Sequence, residues 1–389
     1  MPAWLLPDHL SDILPDEAKR LESLRRRLLD LYATYGYELV QPPMFEHVES
    51  LLIQEARDLD LRTFKMVDQL SGRLLGLRAD ITPQVARIDA HQSQHQGVTR
   101  LCYAGSVLHA QPAGLLSSRE PVQVGCELFG HDGLEADLEV QELALASLDA
   151  AGIQKVRIDL SHRGVFLALR DQDPALVALE NDVLAALQSK DRVRLNALVP
   201  CLSDATAKAV LALLDLYGPI SGPNSVIDRA RAVLPSMPSI HQALDRLAAV
   251  GKSALFTEHP QCVLTVDLGD LRGYRYHNGV MFSIYCEGLP NAVVRGGRYD
   301  GVGAVFGRAR PATGFSLELR ELLGIAQLSS SKTSEPAPVA APWRDDPTLR
   351  VAVSTLRRQG QPVISLPDAE FREWTGKKLV NQSGDWRID

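Results

Sequence analysis

Four short stretches of this 389-residue chain hold residue types suited to gripping a small polar molecule. In Val122–Phe129, period-2 alternation places Val122, Val124, Cys126 and Leu128 on one face of a strand and Gln123, Gly125 and Glu127 on the other. The second face carries an amide and a carboxylate about 13 Å apart at roughly 3.3 Å per residue. A glycine between them leaves a floor for a ligand with two polar ends, although a face that is merely wet fits the same pattern. In Leu77–Gln84, Asp80 and Thr82 followed by Pro83 suit the start of a helix, where they serve as caps with or without a ligand. In Asp270–Phe282, Arg272, Arg275, Tyr274, Tyr276 and His277 precede an Asn278-Gly279 turn. A guanidinium such as Arg272 is a fork for a carboxylate, and His277 is of the type that exchanges protons near neutrality, although most lone histidines are structural. The stretch Arg295–Gly301 has paired glycines that permit close approach. It lacks the Gly-Lys-Ser/Thr of a P-loop and the spacing of a dinucleotide fingerprint.

The elements around these stretches read as an α+β domain. Pro15, Asp16 and Glu17 open a helix over Pro15–Tyr35 with apolar residues at helical spacing, and Gly36 ends it. Strands are expected at Tyr37–Gln41, Thr63–Val67, Leu74–Arg78, Leu101–Val107, Val122–Phe129, Lys155–Leu160, Val263–Leu268, Met281–Glu287 and Ala292–Val294. Helices are expected at Thr82–His91, Leu134–Ala151 and Ser316–Ala326, with a Leu/Ala-rich helical insertion over about 165–250. Helices that interrupt strands rather than alternate with them favour an antiparallel sheet. The Ser/Pro/Ala stretch Ser329–Ala341 marks a linker, assigned to 328–346. It separates a core over 1–327 from a short C-terminal segment over 347–389, with strands at Leu349–Val353 and Pro362–Leu366 and too few residues for an ordinary core.

Composition narrows the function. A net charge of −7 argues against gripping long nucleic acid, because phosphate contacts need a basic field. No apolar run reaches the length of a membrane span and no leader is evident, which points to the cytoplasm. The five cysteines are widely spaced with no CxxC pair, so neither a metal site nor a disulfide framework is expected.

In chain order the four stretches resemble the catalytic core of the histidyl-tRNA synthetases, a class II aminoacyl-tRNA synthetase family, from about Leu6 to Ala326. Arg100–Gly105 and Gln123–Gly130 are similar to motif 2 and its returning strand, and Gly314–Glu321 to motif 3. Leu77–Thr82 is similar to the loop that holds the amino group of histidine, and Arg272–His277 to the histidine-specific loop. The resemblance implies a class II aminoacyl-tRNA synthetase-like antiparallel sheet flanked by helices. It also implies that Asp80, Thr82 and Gln123 hold the ammonium group of histidine, Glu127 meets the imidazole and Arg272 lies by the carboxylate. Tyr276 and His277 complete the site, His277 standing where the family has a second tyrosine.

The departures are informative. His109 stands where a synthetase has the motif 2 arginine for the α-phosphate of ATP, and Gln111 replaces the accompanying glutamate. Glu321 stands at the motif 3 arginine, with Arg320 one step away and expected to diverge by about 100° on a helix. One charge pair at 4 Å is worth about 4 kcal/mol at an effective dielectric of about 20, and a carboxylate in place of a cation turns that attraction into repulsion. No anticodon-binding domain is evident after the linker. This pattern, with Arg308–Phe315 and the short tail, is similar to the ATP phosphoribosyltransferase regulatory subunit family. The resemblance implies a non-catalytic subunit without cofactor. Its partner is a short-form ATP phosphoribosyltransferase catalytic subunit, joined in a hetero-oligomer that contains a homodimeric unit. Histidine is then the feedback effector of the first step of histidine biosynthesis. A divergent histidyl-tRNA synthetase and an amino-acid-binding interaction module are the alternatives.

Overall fold

In a computed structural model the alternation of Val122–Phe129 becomes a strand inside a nine-stranded sheet. The structure describes all residues except 1–4, 53–56, 93–94, 113, 115–116, 274–275, 327–335 and 383. In chain order the strands of the first unit (Met1–Gln327) begin with β1 (Glu38–Leu39), β2 (Phe45–His47), β3 (Lys65–Val67) and β4 (Leu74–Leu77). They continue with β5 (Thr99–Ser106), β6 (Val122–Phe129), β7 (Val156–His162) and β8 (Tyr217–Pro219). The last four are β9 (Cys262–Asp267), β10 (Val280–Cys286), β11 (Val294–Arg298) and β12 (Ala312–Glu318). The large sheet has the order β1-β5-β6-β12-β11-β10-β7-β9-β8. Its neighbours are antiparallel except for the parallel pairs β1/β5 and β7/β9. A separate sheet, β2-β4-β3, leaves Phe45, Met66, Val67 and Leu74 exposed.

Two helices cover one face of the large sheet. Pro15–Thr34 starts on its proline with Asp16 and Glu17 in the first turn, and buries Leu24, Leu28 and Tyr32 along one stripe. Leu134–Ala150 buries Val140, Leu143, Ala144 and Leu148. Tyr32 meets Phe315 of β12 edge-to-face at 6.2 Å, on the same face as the fully buried Val124 and Cys126. The opposite face carries Gln123, Gly125 and Glu127.

Several expectations need correction. The insertion begins with the helix Arg163–Gln172 and its long helices run to Gly251. It is not purely helical, because β8 pairs with β9 at the edge of the large sheet. Its helices are delimited by Asp173, Asp191, Ser203 and Ser225, each accepting a backbone N–H at a helix start. The strand placed at Ala292–Val294 is Val294–Arg298, so the paired glycines lie within the sheet. The helix placed from Ser316 begins at Leu319, because Ser316–Glu318 pair with β6 and Glu318 caps the helix.

The second unit, Leu328–Asp389, has a core of its own. Strand β13 (Val339–Pro342), inside the stretch read as linker, pairs in parallel with β14 (Val363–Leu366). The helix Pro347–Arg358 connects them, and β15 (Leu379–Gln382) with β16 (Asp385–Ile388) forms a hairpin. Leu349–Val353, read as a strand, lies in this helix. Its alternation L-R-V-A-V masked the helical spacing of Leu349, Val353 and Leu356, which pack with Val339, Ala341, Val363 and Leu379. The earlier part of the linker, 328–335, lies outside the described residues.

Candidate functional site

The polar face of β6 opens onto a cavity of about 1090 Å³. All seven residues implied by the resemblance line it: Asp80, Thr82, Gln123, Glu127, Arg272, Tyr276 and His277. Tyr274 and Arg275 of the histidine-specific loop lie outside the described residues.

At one end Asp80 and Gln123 lock together. The Gln123 amide donates to the Asp80 carboxylate at 2.8 Å and accepts from the Ile81 N–H at 2.9 Å. Asp80 also accepts from the Thr82 N–H at 3.1 Å, but neither Asp80 nor Thr82 is the cap: the helix starts at Thr82 and its N-cap is Ile81, without a side-chain cap bond.

Glu127 lies deeper and is 1% exposed. It accepts from the Tyr103 hydroxyl at 3.2 Å and from the Tyr299 hydroxyl. Thr82 and Tyr103 are joined hydroxyl to hydroxyl at 3.0 Å. Burial pushes the Glu127 carboxyl up to about 8, against the hydrogen bonds of Tyr299, Thr82 and Tyr103 and aided by the negative charge of Asp80. Tyr276 stacks on Tyr299 with ring centroids 4.9 Å apart, and its buried hydroxyl has no partner among the described residues. Three phenols around a buried carboxyl make a box with polar atoms ready for a flat, hydrogen-bonding ring.

The glycine floor is not bare. A Cβ at Gly125 would strike the Tyr103 hydroxyl and the Phe315 carbonyl, so the missing side chain admits the phenol. A Cβ at Gly314, the β12 partner of Glu127, would strike the Glu127 carboxylate.

Arg272 is already engaged. It holds Asp270 through two nitrogens, at 2.8 and 2.5 Å, and donates to the Tyr285 hydroxyl at 2.8 Å. His277 packs edge-to-face on Tyr276, and burial pulls its pKa down to about 4, so the ring is neutral. Its Nδ1 is buried without a partner among the described residues.

At the other end the synthetase-like positions have been rewired. His109 is buried, its Nε2 3.1 Å from the Ala79 carbonyl. The Arg62 guanidinium lies 2.7 Å from the same Nε2 and 3.2 Å from Nδ1. Burial and Arg62 pull the His109 pKa down to about 4. Arg62, which the sequence reading did not include, thus brings a guanidinium to position 109 but commits it to the His109 ring. Arg320 and Glu321 both line the cavity, but Arg320 is held by Glu17 at 2.6 Å and by the Ser11 hydroxyl at 3.0 Å. Glu318 accepts from the Arg320, Glu321 and Val122 N–H groups. Gln111 is exposed.

Tyr299, Arg62, Arg295 and Glu318 also line the cavity, and Tyr103 backs it through Glu127 and Thr82; none of them was named as a site residue. Alternation along β5 would have put Tyr103 beside Gly125, its partner across the strands. Among the described residues no group of three or more His, Cys, Asp or Glu side chains is placed to hold a metal ion.

Comparison with known proteins adds three findings. The family model described as histidyl-tRNA synthetase matches residues 9–322, and that of the ATP phosphoribosyltransferase subunit HisZ C-terminal domain matches residues 336–389. An ATP phosphoribosyltransferase regulatory subunit of Cupriavidus pinatubonensis is 55% identical over 99% of this chain and 98% of its own length. In fold, the chain is similar to an ATP phosphoribosyltransferase regulatory subunit/histidyl-tRNA synthetase from Bacillus halodurans (TM-score 0.80, 24% identity, 95% and 94% of the two chains covered). It also resembles a chain of the HisG:HisZ ATP phosphoribosyl transferase complex from Thermotoga maritima (TM-score 0.57, 19% identity, 77% and 97% covered).

Proposed function

This chain belongs to the family of ATP phosphoribosyltransferase regulatory subunits, and we propose that it senses free histidine in the cavity above β6 and reports it to a catalytic partner. The observation that carries the reading is the convergence of Asp80, Gln123, Glu127 and Arg272 on one cavity. Acceptors for an ammonium group stand at one end, and a buried carboxyl inside a tyrosine box suits an imidazole. Guanidinium groups on the facing wall suit a carboxylate. The complementary support is the other end of the same cavity, where Glu318 and Glu321 put carboxylates where a triphosphate would need cations.

The partner is a short-form ATP phosphoribosyltransferase catalytic subunit, met in a hetero-oligomer that contains a homodimer of this chain. Its setting is the cytoplasm. Histidine favours one arrangement of the regulatory subunit, and the interface passes that preference on; a coupling of about 1–3 kcal/mol gives a roughly 5–150-fold effect. Reciprocity requires ligands of the catalytic subunit to change the affinity for histidine by the same factor.

The test is calorimetric titration of histidine into the full chain and into its co-purified complex, followed by transferase assays with and without histidine. Absence of binding in both preparations rejects the sensor. Histidine-dependent ATP–pyrophosphate exchange well above background would instead mark the chain as a synthetase.

A further inference from the structure

Not all the guanidinium groups around the cavity are free to meet a ligand. Arg272 is neutralised by Asp270 at 2.5 Å, and Arg320 by Glu17 at 2.6 Å. Arg62 is turned onto the His109 ring, and Arg298, deeper in the fold, pairs with Asp137. Arg295 differs from them. Among the described residues it makes one hydrogen bond, to the Ser283 hydroxyl at 3.4 Å, and no ion pair. Yet it reaches both the main cavity and a smaller one of about 220 Å³ behind the Asp270–Gly273 wall.

Its place follows from the register. Gly125 of β6 lies opposite Ser316 of β12, Ser316 opposite Arg295 of β11, and Arg295 opposite Ser283 of β10. Arg295 therefore rises two strands, or about 10 Å, from Gly125 in a single cross-strand row. Gln123 and Glu127 flank that row on β6. The side chain keeps access to solvent through the cavity. Lost hydration and the neighbouring Arg272 nevertheless pull its pKa down, while Tyr285, Asp270 and Glu321 act the other way without pairing with it. A cation beside another cation and in no ion pair gains most when an anion arrives.

We propose that Arg295, rather than the already paired Arg272, supplies the positive charge that holds the ligand carboxylate, and so selects a free amino acid over its carboxylate-free analogues. This rests on the histidine reading above and assigns the third end of the ligand: ammonium at Asp80 and Gln123, ring at Glu127, carboxylate at Arg295. A guanidinium fork matches a carboxylate in geometry as well as charge.

The test is calorimetric titration of histidine and of histidinol, which lacks the carboxylate, into the wild-type chain, Arg295→Met and Arg62→Met, with melting curves of each. The wild type is expected to prefer histidine at least tenfold. Arg295→Met should bring the two ligands within about threefold of each other by weakening histidine alone, while the melting temperature of the empty chain does not fall. The assignment is overturned if Arg295→Met weakens both ligands equally, if its melting temperature drops by several degrees, or if Arg62→Met is the variant that equalises the ligands. A wild type that binds neither ligand sinks the histidine reading and this assignment with it. One that binds both equally sinks this assignment alone.

Discussion

The two ends of the cavity treat their polar groups in opposite ways. At the β6 end, Asp80, Thr82, Gln123, Glu127 and Tyr103 hydrogen-bond one another around the cavity. At the other end the polar groups serve the fold. Glu318 caps a helix, Arg320 ties the first helix through Glu17, and Arg62 leans on His109. The difference teaches that a charge lining a cavity is available to a ligand only where the fold has not already used it, so exchanging one residue at the second end does not free its neighbours.

The largest effects should come from breaking the first end. Glu127→Ala is expected to weaken histidine by about 100-fold, as removal of a charge-assisted buried hydrogen bond does, while co-purification with the catalytic subunit survives. Loss of assembly would recast Glu127 as structural. Gly314→Ala drives a methyl into the Glu127 carboxylate, and a drop of about 1–3 kcal/mol in denaturant-derived stability should accompany weakened histidine binding.

Acidity sharpens the comparison. Below about pH 8 Glu127 keeps its proton, whereas the imidazole of free histidine is neutral above about pH 6.5. The bound pair needs one proton between its two members. Titrations should therefore give highest affinity between these limits and a decline of up to tenfold per pH unit above 8. Glu127→Gln should reduce the alkaline decline to the part that comes from the ligand's own ammonium group. Stability follows the same signs: the raised Glu127 pKa contributes at low pH and is lost as pH rises through about 8. His109, His162 and His277, held near 4 by burial, contribute above about 6.5 and lose that contribution as pH falls towards 4. The smallest effect belongs to the second end. Glu321→Arg should leave pyrophosphate exchange at background and histidine affinity within about twofold, because Glu318 and the engaged Arg320 remain. Exchange rising clearly above background would show that one residue had silenced the site.

Much of this arrangement was legible in the sequence because strands advertise their faces. Alternation alone put Gln123 and Glu127 on one side and Val124 and Cys126 on the other, and of the four only Gln123 and Glu127 line the cavity. Composition likewise located the Leu/Ala-rich insertion, though not the edge strand within it. What stayed hidden depends on contacts between distant segments. Arg62 meets His109 across 47 residues, and Tyr299 meets Glu127 across 172, and no local pattern encodes either. Gly125 misled in a different way, since an empty position in a strand looks the same whether a ligand or a neighbouring phenol fills it. In the second unit, strand-like alternation at Leu349–Val353 competed with a helical stripe that becomes decisive only once Val339 and Val363 are there to receive it.

The tie from Arg272 to Asp270 and to Tyr285 of β10 has a kinetic consequence. It fastens one wall of the cavity to the rigid sheet before any visitor arrives, so entry requires no assembly of that wall. Arrival should then be limited by encounter, and the lifetime of the occupied state by escape. A metabolic brake built this way engages as fast as its signal accumulates and lets go as soon as the signal is spent.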